Sequence, residues 1–182
     1  MKLKSTLFII FLMSVAIFQI ACNNSCENHN STGVDSTVVA NHKIQIGAML
    51  DSFHVAAGRA DFENYFKYYT SDAIFIGTDA TENWNKEKFM VWSKPYFDKG
   101  KAWNFKSVER HIYFGKSDDI AWFDELLNTQ MKICRGSGVV VKQNNEWKVQ
   151  QYVLSMTIPN SDSKKVIEIK TPIEDSLLNL LK

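Results

Sequence analysis

The chain has little with which to build a covalent framework. Its three cysteines, Cys22, Cys26 and Cys134, permit no disulfide scheme to be read from their spacing. It also lacks an excess of charge of either sign, since 21 Lys and Arg are interspersed with 20 Asp and Glu. A nucleic-acid partner requires a basic stripe, so no such partner is expected. The one long apolar run, residues 7–20, has 14 positions and falls short of the roughly 20 that cross a bilayer core. The four histidines, His29, His42, His54 and His111, show no ligand spacing, and no metal site is expected. No nucleophile elbow, phosphate loop or dinucleotide fingerprint occurs, which removes covalent and nucleotide chemistry and leaves no cofactor to expect.

What is present begins with Lys2 and Lys4 ahead of that apolar run, the pattern of an export signal over residues 1–21. The sequence Gln19-Ile20-Ala21-Cys22 is similar to a bacterial lipobox, which implies cleavage before Cys22 and a lipid on it. The expected location is the bacterial cell envelope, with the membrane reached through that lipid and simple secretion as the alternative. Without residues 1–21 the chain keeps 161 residues, with 19 basic and 20 acidic side chains. That is a one-domain length with room for a good core. Residues 22–43 are rich in Asn and Ser in their first part and read as a lipidated flexible tether.

From Ile46 the apolar residues Met49, Leu50, Phe53 and Ala57 recur on one helical face. Asp61 is placed to cap a second helix carrying Phe62, Tyr65, Phe66 and Tyr69, and Asn85 a third carrying Phe89, Trp92 and Tyr96. A short strand is expected at residues 73–76. Four long strands follow, at about residues 103–114, 120–130, 132–142 and 147–157, as an antiparallel meander. In the first of them the apolar phase slips between Phe105 and Val108, which predicts a β-bulge near Ser107. Beyond Pro159 a polar linker leads to Thr171-Pro172-Ile173-Glu174, a capping box that opens a short amphipathic final helix within residues 161–182.

Three segments carry a family resemblance: IFIGTDATENW (residues 74–84), RHIYFGKSDDIAWFDELL (residues 110–127) and CRGSGVVVKQNNEWKVQQYVLSMTIPN (residues 134–160). Together they resemble the SnoaL-like branch of the nuclear transport factor 2-like superfamily over about residues 44–160. The resemblance implies an α+β, NTF2-like cone in which three N-terminal helices pack on a curved, mainly antiparallel sheet around a pocket. It also implies a homodimer through the exposed sheet face, where Phe123, Tyr152, Leu154 and Met156 would otherwise meet water. It specifies no reaction, because one scaffold in this superfamily carries binding, catalytic and assembly roles.

The candidate site follows from those segments. The resemblance places an acid and a tryptophan, Glu82 and Trp84, at the mouth of the cone, with Asp79 beside them. Trp103, Trp122 and Gln151 are further candidate ligand-binding residues, and Gln151 stands where relatives often carry histidine. Strand alternation in AWFDE puts Trp122 and Asp124 on one face and Phe123 and Glu125 on the other, so one of the two acids must face a covered side. Gly136 and Gly138 share a face and allow a close approach there. Asp124 and Arg135 are the candidate catalytic pair for an isomerase, cyclase or hydratase, with a mutual ion pair inside the cone as the structural alternative. The expected function is binding of a small, partly apolar molecule. The alternatives are such an enzyme and a non-catalytic dimeric assembly module.

Overall fold

The computed structural model describes residues 35–181. The expected export signal over residues 1–21, Cys22 and Cys26 lie outside the described residues. Helix α1 spans Ser36–Gly58, opened by Asp35, whose side chain accepts from the Thr37 amide at 2.8 Å. It starts ten residues before Ile46 and takes in the last third of the expected tether. The reason is His42, which extends the apolar stripe by one turn and is buried against the rings of Trp147 and Phe114 at 5.3 and 6.1 Å. A short helix α2, Phe62–Phe66, is capped by Asp61 as expected. Strands β1 (Tyr69–Ile76) and β2 (Asn83–Asn85) follow. Helix α3, Lys86–Asp98, is capped by the Asn85 side chain at 3.0 Å and accommodates Pro95.

The long strands are β3 (Phe105–Phe114), β4 (Ile120–Thr129), β5 (Lys132–Gln143) and β6 (Glu146–Met156). They form one six-stranded sheet in the order β2-β1-β6-β5-β4-β3, antiparallel except where β1 runs parallel to β6. The β5–β6 reversal at Asn144-Asn145 has φ of 51° and 64°, the left-handed pair that a tight hairpin needs and that asparagine tolerates.

The register of β3 shifts between Ser107 and Glu109, so the bulge expected near Ser107 is present. Its consequence is a change of face. Phe105 and Ser107 point inward before the bulge, and Arg110, Ile112 and Phe114 point inward after it. Helices α1 to α3 pack on this concave side of the sheet, around Phe53, Tyr65, Phe89, Phe123, Leu127 and Tyr152. Cys134 is buried there as a free thiol.

Two expectations about the helices are corrected. Among the described residues there are four helices, one of them after the sheet: α4, Ser163–Leu180. It begins eight residues before Thr171 and has Pro172 in its interior. The polar stretch expected to be a linker is therefore helical. The stretch from Ser163 to Lys170, with Lys164, Lys165, Glu168 and Lys170 among Val and Ile, holds no helix breaker, and the Thr171 hydroxyl bonds back to the Ile167 carbonyl at 2.6 Å instead of capping. No residue of α4 is buried.

The inward glycines mark where packing is tightest. A methyl group at position 136 would collide with the Tyr152 hydroxyl, and one at 138 with the Gln151 carbonyl oxygen and the Phe123 ring. Gly136→Ala and Gly138→Ala are each expected to cost about 1–3 kcal/mol by overpacking. Gly138→Ala should be the worse, because a backbone oxygen yields less than a side-chain tip. Urea denaturation midpoints of the two variants check the ranking.

Candidate functional site

Two assemblies of side chains occupy the concave side of the sheet. One is a closed polar cluster and the other an open aromatic cleft, and Phe105 borders both.

The cluster is centred on Glu125, which has no solvent exposure. Alternation along β4 sends it inward with Phe123, and a buried carboxylate must be neutralised by neighbours. His54 Nε2 donates to its Oε1 at 2.7 Å, and the Tyr152 hydroxyl donates to the same oxygen at 3.0 Å. Arg110, turned inward by the bulge, brings Nε to Oε2 at 2.9 Å and extends NH1 to the Gly47 carbonyl and to Asp51 at 3.0 and 2.8 Å. The arginine thus ties β3 and β4 to α1. Burial pushes the Glu125 carboxyl up, but the bond and charge of His54 and the Arg110 guanidinium outweigh it and hold the group below the ordinary glutamate range. Burial also pushes the Tyr152 phenol well up, so it stays a donor.

The cleft has a volume of about 170 Å³, below the roughly 300–1,000 Å³ of drug-sized pockets. Its walls are the rings of Phe75, Trp84, Phe89, Trp92, Trp103 and Phe105, with Leu154 and Met131. Phe75 stacks on Phe89 at 4.0 Å and Trp84 on Trp92 at 4.6 Å. The polar contributions come from Thr78, Glu82 and Gln130, and Gly77 completes the lining. The Glu82 side chain folds over Gly77, where any Cβ would collide with it. The Asp79 amide donates to Glu82 Oε2 at 3.2 Å, and the Glu82 carbonyl accepts from the Gly77 amide at 2.9 Å. The loop that carries the acid is thereby closed on itself.

Of the candidates named from sequence, Glu82, Trp84 and Trp103 line the cleft, and Asp79 stands in the rim loop, its carboxylate turned to Thr81. The other four lie elsewhere. Asp124, Arg135, Trp122 and Gln151 occupy the outer face of the sheet, because each alternates with an inward-facing neighbour: Phe123 and Glu125, Gly136, Ala121, and Tyr152. Asp124 and Arg135 do meet, at 3.5 Å, but on the open face, where His111 also reaches Asp124 at 3.3 Å. The covered acid of AWFDE is Glu125. Phe123, Tyr152 and Leu154 are core residues, so they cannot be the apolar surface assigned to a dimer. The apolar side chains open to water on the outer face are Tyr113, Trp122, Ile120 and Ile133, all more than 40% exposed.

No single motif of the sequence marks His54, Arg110 and Tyr152 as a set. The signals were present: the phase slip puts Arg110 in step with Ile112 and Phe114, and His54 adjoins Phe53 on the α1 stripe. Among the described residues no group of three His, Cys, Asp or Glu is placed to hold a metal ion.

The cluster predicts acid lability. Because the folded chain binds the Glu125 proton less tightly than the unfolded chain, its stabilisation is complete above the ordinary value of about 4.3 and is lost as pH falls through the depressed value. Glu125→Gln leaves Arg110 without its buried counter-charge, an expected loss of about 3–5 kcal/mol near neutrality. The gap to the parent should narrow on acidification. Thermal unfolding of both proteins across the acid range checks this, and parallel curves would contradict it.

The described domain has the shape of known relatives. An NTF2-like protein of unknown function from Pseudomonas putida KT2440 superposes with a TM-score of 0.56 at 12% identity, over 66% of this chain and 90% of that one. A protein from Novosphingobium aromaticivorans described provisionally as a scytalone dehydratase gives 0.59 at 11%, over 67% and 88%. A Nostoc punctiforme domain of unknown function with a cystatin-like fold gives 0.57 at 13%, over 78% and 94%. At such identities these similarities establish the fold alone. No curated protein matches the chain. The model of the SnoaL-like domain matches residues 46–159, the stretch that holds the bulged sheet, the Glu125 cluster and the aromatic cleft. The chain belongs to the SnoaL-like domain family.

Proposed function

We propose that this protein binds a small, partly apolar molecule in the aromatic cleft, and that a lipid on Cys22 holds it at the bacterial cell envelope. The observation that carries the binding reading is the composition of the cleft: six aromatic rings, two further apolar side chains and three polar ones that converge on a compact volume. Apolar walls with a few placed polar groups are the usual chemistry of a small-molecule site. Burial of a ligand there releases water from apolar surface at both partners.

An enzyme of isomerase, cyclase or hydratase type is the second reading. It is favoured by fold relatives described provisionally as dehydratases, from Streptomyces avermitilis and Novosphingobium aromaticivorans. On that reading the acid that can touch a substrate is Glu82, since Asp124 and Arg135 lie on the opposite side of the sheet. Glu125 is ill suited to proton transfer, being enclosed and committed to three donors.

A metabolite library screened by thermal shift, with native mass spectrometry of the hits, tests the binding reading. Trp92 is 40% exposed, so Trp92→Ala should fold normally and weaken a cleft ligand by about tenfold or more. Asp124→Asn and Arg135→Ala should bind as the parent does. Hits that respond to the outer-face pair and not to Trp92 would refute the assignment to the cleft.

We also propose that the outer sheet face forms a homodimer. Tyr113 and Trp122 stack there at 6.0 Å in an apolar surface left open to water. Trp122→Lys is expected to convert a dimer into a monomer in sedimentation equilibrium, with the ligand response kept. A parent protein that sediments as a monomer would refute it.

A further inference from the structure

We propose that the cleft selects an organic cation, an ammonium or amidinium group carried on a compact apolar or aromatic body. The inference rests on the reading of the cleft as a binding site and adds the charge of its occupant.

Three observations converge on it. First, Glu82 is the one ionisable side chain in the lining, and no Lys, Arg or His contributes to the walls. Secondly, among the described residues Glu82 forms no ion pair, and the single hydrogen bond to its carboxylate comes from the Asp79 amide at 3.2 Å, on Oε2. The cation acceptor sites of Oε1 are left to an incoming group. The fully buried Glu125 differs in this respect, because it has Arg110 and His54. Thirdly, the remaining walls are largely indole and phenyl rings, with Trp84, Trp92 and Trp103 grouped around the mouth at centroid separations of 4.6 and 6.5 Å. These are the residue types that attract organic cations through their ring electrons.

Asp79 reinforces the sign of the charge. Its carboxyl is held below the usual aspartate range by hydrogen bonds from the Thr81 hydroxyl and amide, which places a second negative group on the rim. A carboxylate ligand would meet two like charges and no donor stronger than Thr78 or Gln130. A small hydrated metal ion would have to exchange its water for one carboxylate and apolar walls, a poor set of ligands for it. An organic cation is less strongly hydrated than a small metal ion, keeps its apolar body against the rings and brings its charge to Glu82. The half-buried position of Glu82 strengthens that attraction relative to a fully exposed pair.

The test compares three probes of similar size by isothermal titration calorimetry on the full-length protein: benzyltrimethylammonium, neutral N,N-dimethylbenzamide and anionic phenylacetate. The cation is expected to bind about tenfold or more tightly than the neutral probe, and the anion to bind more weakly than either. Glu82→Gln should bring the cation down to the level of the neutral probe while leaving the neutral probe unchanged. Equal binding of cation and neutral probe, or a cation unaffected by Glu82→Gln, would overturn the inference and leave the cleft itself as a binding site. Binding of none of the three, alongside Trp92-dependent library hits that carry no positive charge, would overturn it equally. Failure of the cleft reading is separate and shows as the absence of any Trp92-dependent ligand.

Discussion

A carboxylate without access to water has to be neutralised where it stands, and the Glu125 side chain meets that requirement with partners drawn from three directions. His54 comes from α1, Arg110 from β3 and Tyr152 from β6. Each contact constrains a different part of the fold. The Arg110 guanidinium is satisfied further by Gly47 and Asp51, so the first helix is held to the sheet by directional bonds as well as by its apolar stripe. Leaving any of these groups unpaired in a dry interior would cost more than the net worth of the pair. The arrangement accordingly specifies one position of α1 on the sheet. The bulge at Ser107 and the small residue at 136 are its geometric conditions: the first turns Arg110 inward and the second makes room for the Tyr152 hydroxyl.

With the polar cluster closed, the open part of the cone is left to aromatic side chains. Phe105 belongs to both regions, its ring lying 5.9 Å from that of His54 while it also borders the cleft. Acid and base groups are therefore concentrated where they support structure, and the cleft holds one carboxylate among rings. That division of labour favours recognition over proton transfer as the role of the cleft. It also separates the cleft from the outer face, where Asp124, Arg135 and His111 form a solvated polar cluster beside Tyr113 and Trp122.

Much of this was legible in the residues. The caps Asp61 and Asn85, the Asn144-Asn145 reversal, the four long strands and the bulge all follow from local chemistry, because each is decided by side chains within a few residues of one another. Three of the ligand-binding candidates, Glu82, Trp84 and Trp103, do line the cleft. The start of α1 is not legible because His42 is polar in composition yet buried, its ring packed against Trp147 and Phe114 and its Nε2 accepting from Lys142 Nζ at 3.1 Å. The extent of α4 is not legible because Thr171-Pro172 reads as a helix start, whereas the helix runs from Ser163 through Pro172 to Leu180.

The choice between Asp124 and Glu125 marks the boundary most clearly. Alternation alone requires that one of the two acids face a covered side, and the sequence by itself determined the pairing of faces, the element order and the family. Which face is covered was decided by tertiary structure. The helices lie across the side that carries Phe123 and Glu125, and the partners that make a buried Glu125 tolerable come from positions 54, 110 and 152. Period-two alternation relates residues within a strand and says nothing of what lies above it. A buried charge is made stable only by neighbours brought close by the folding of the whole chain.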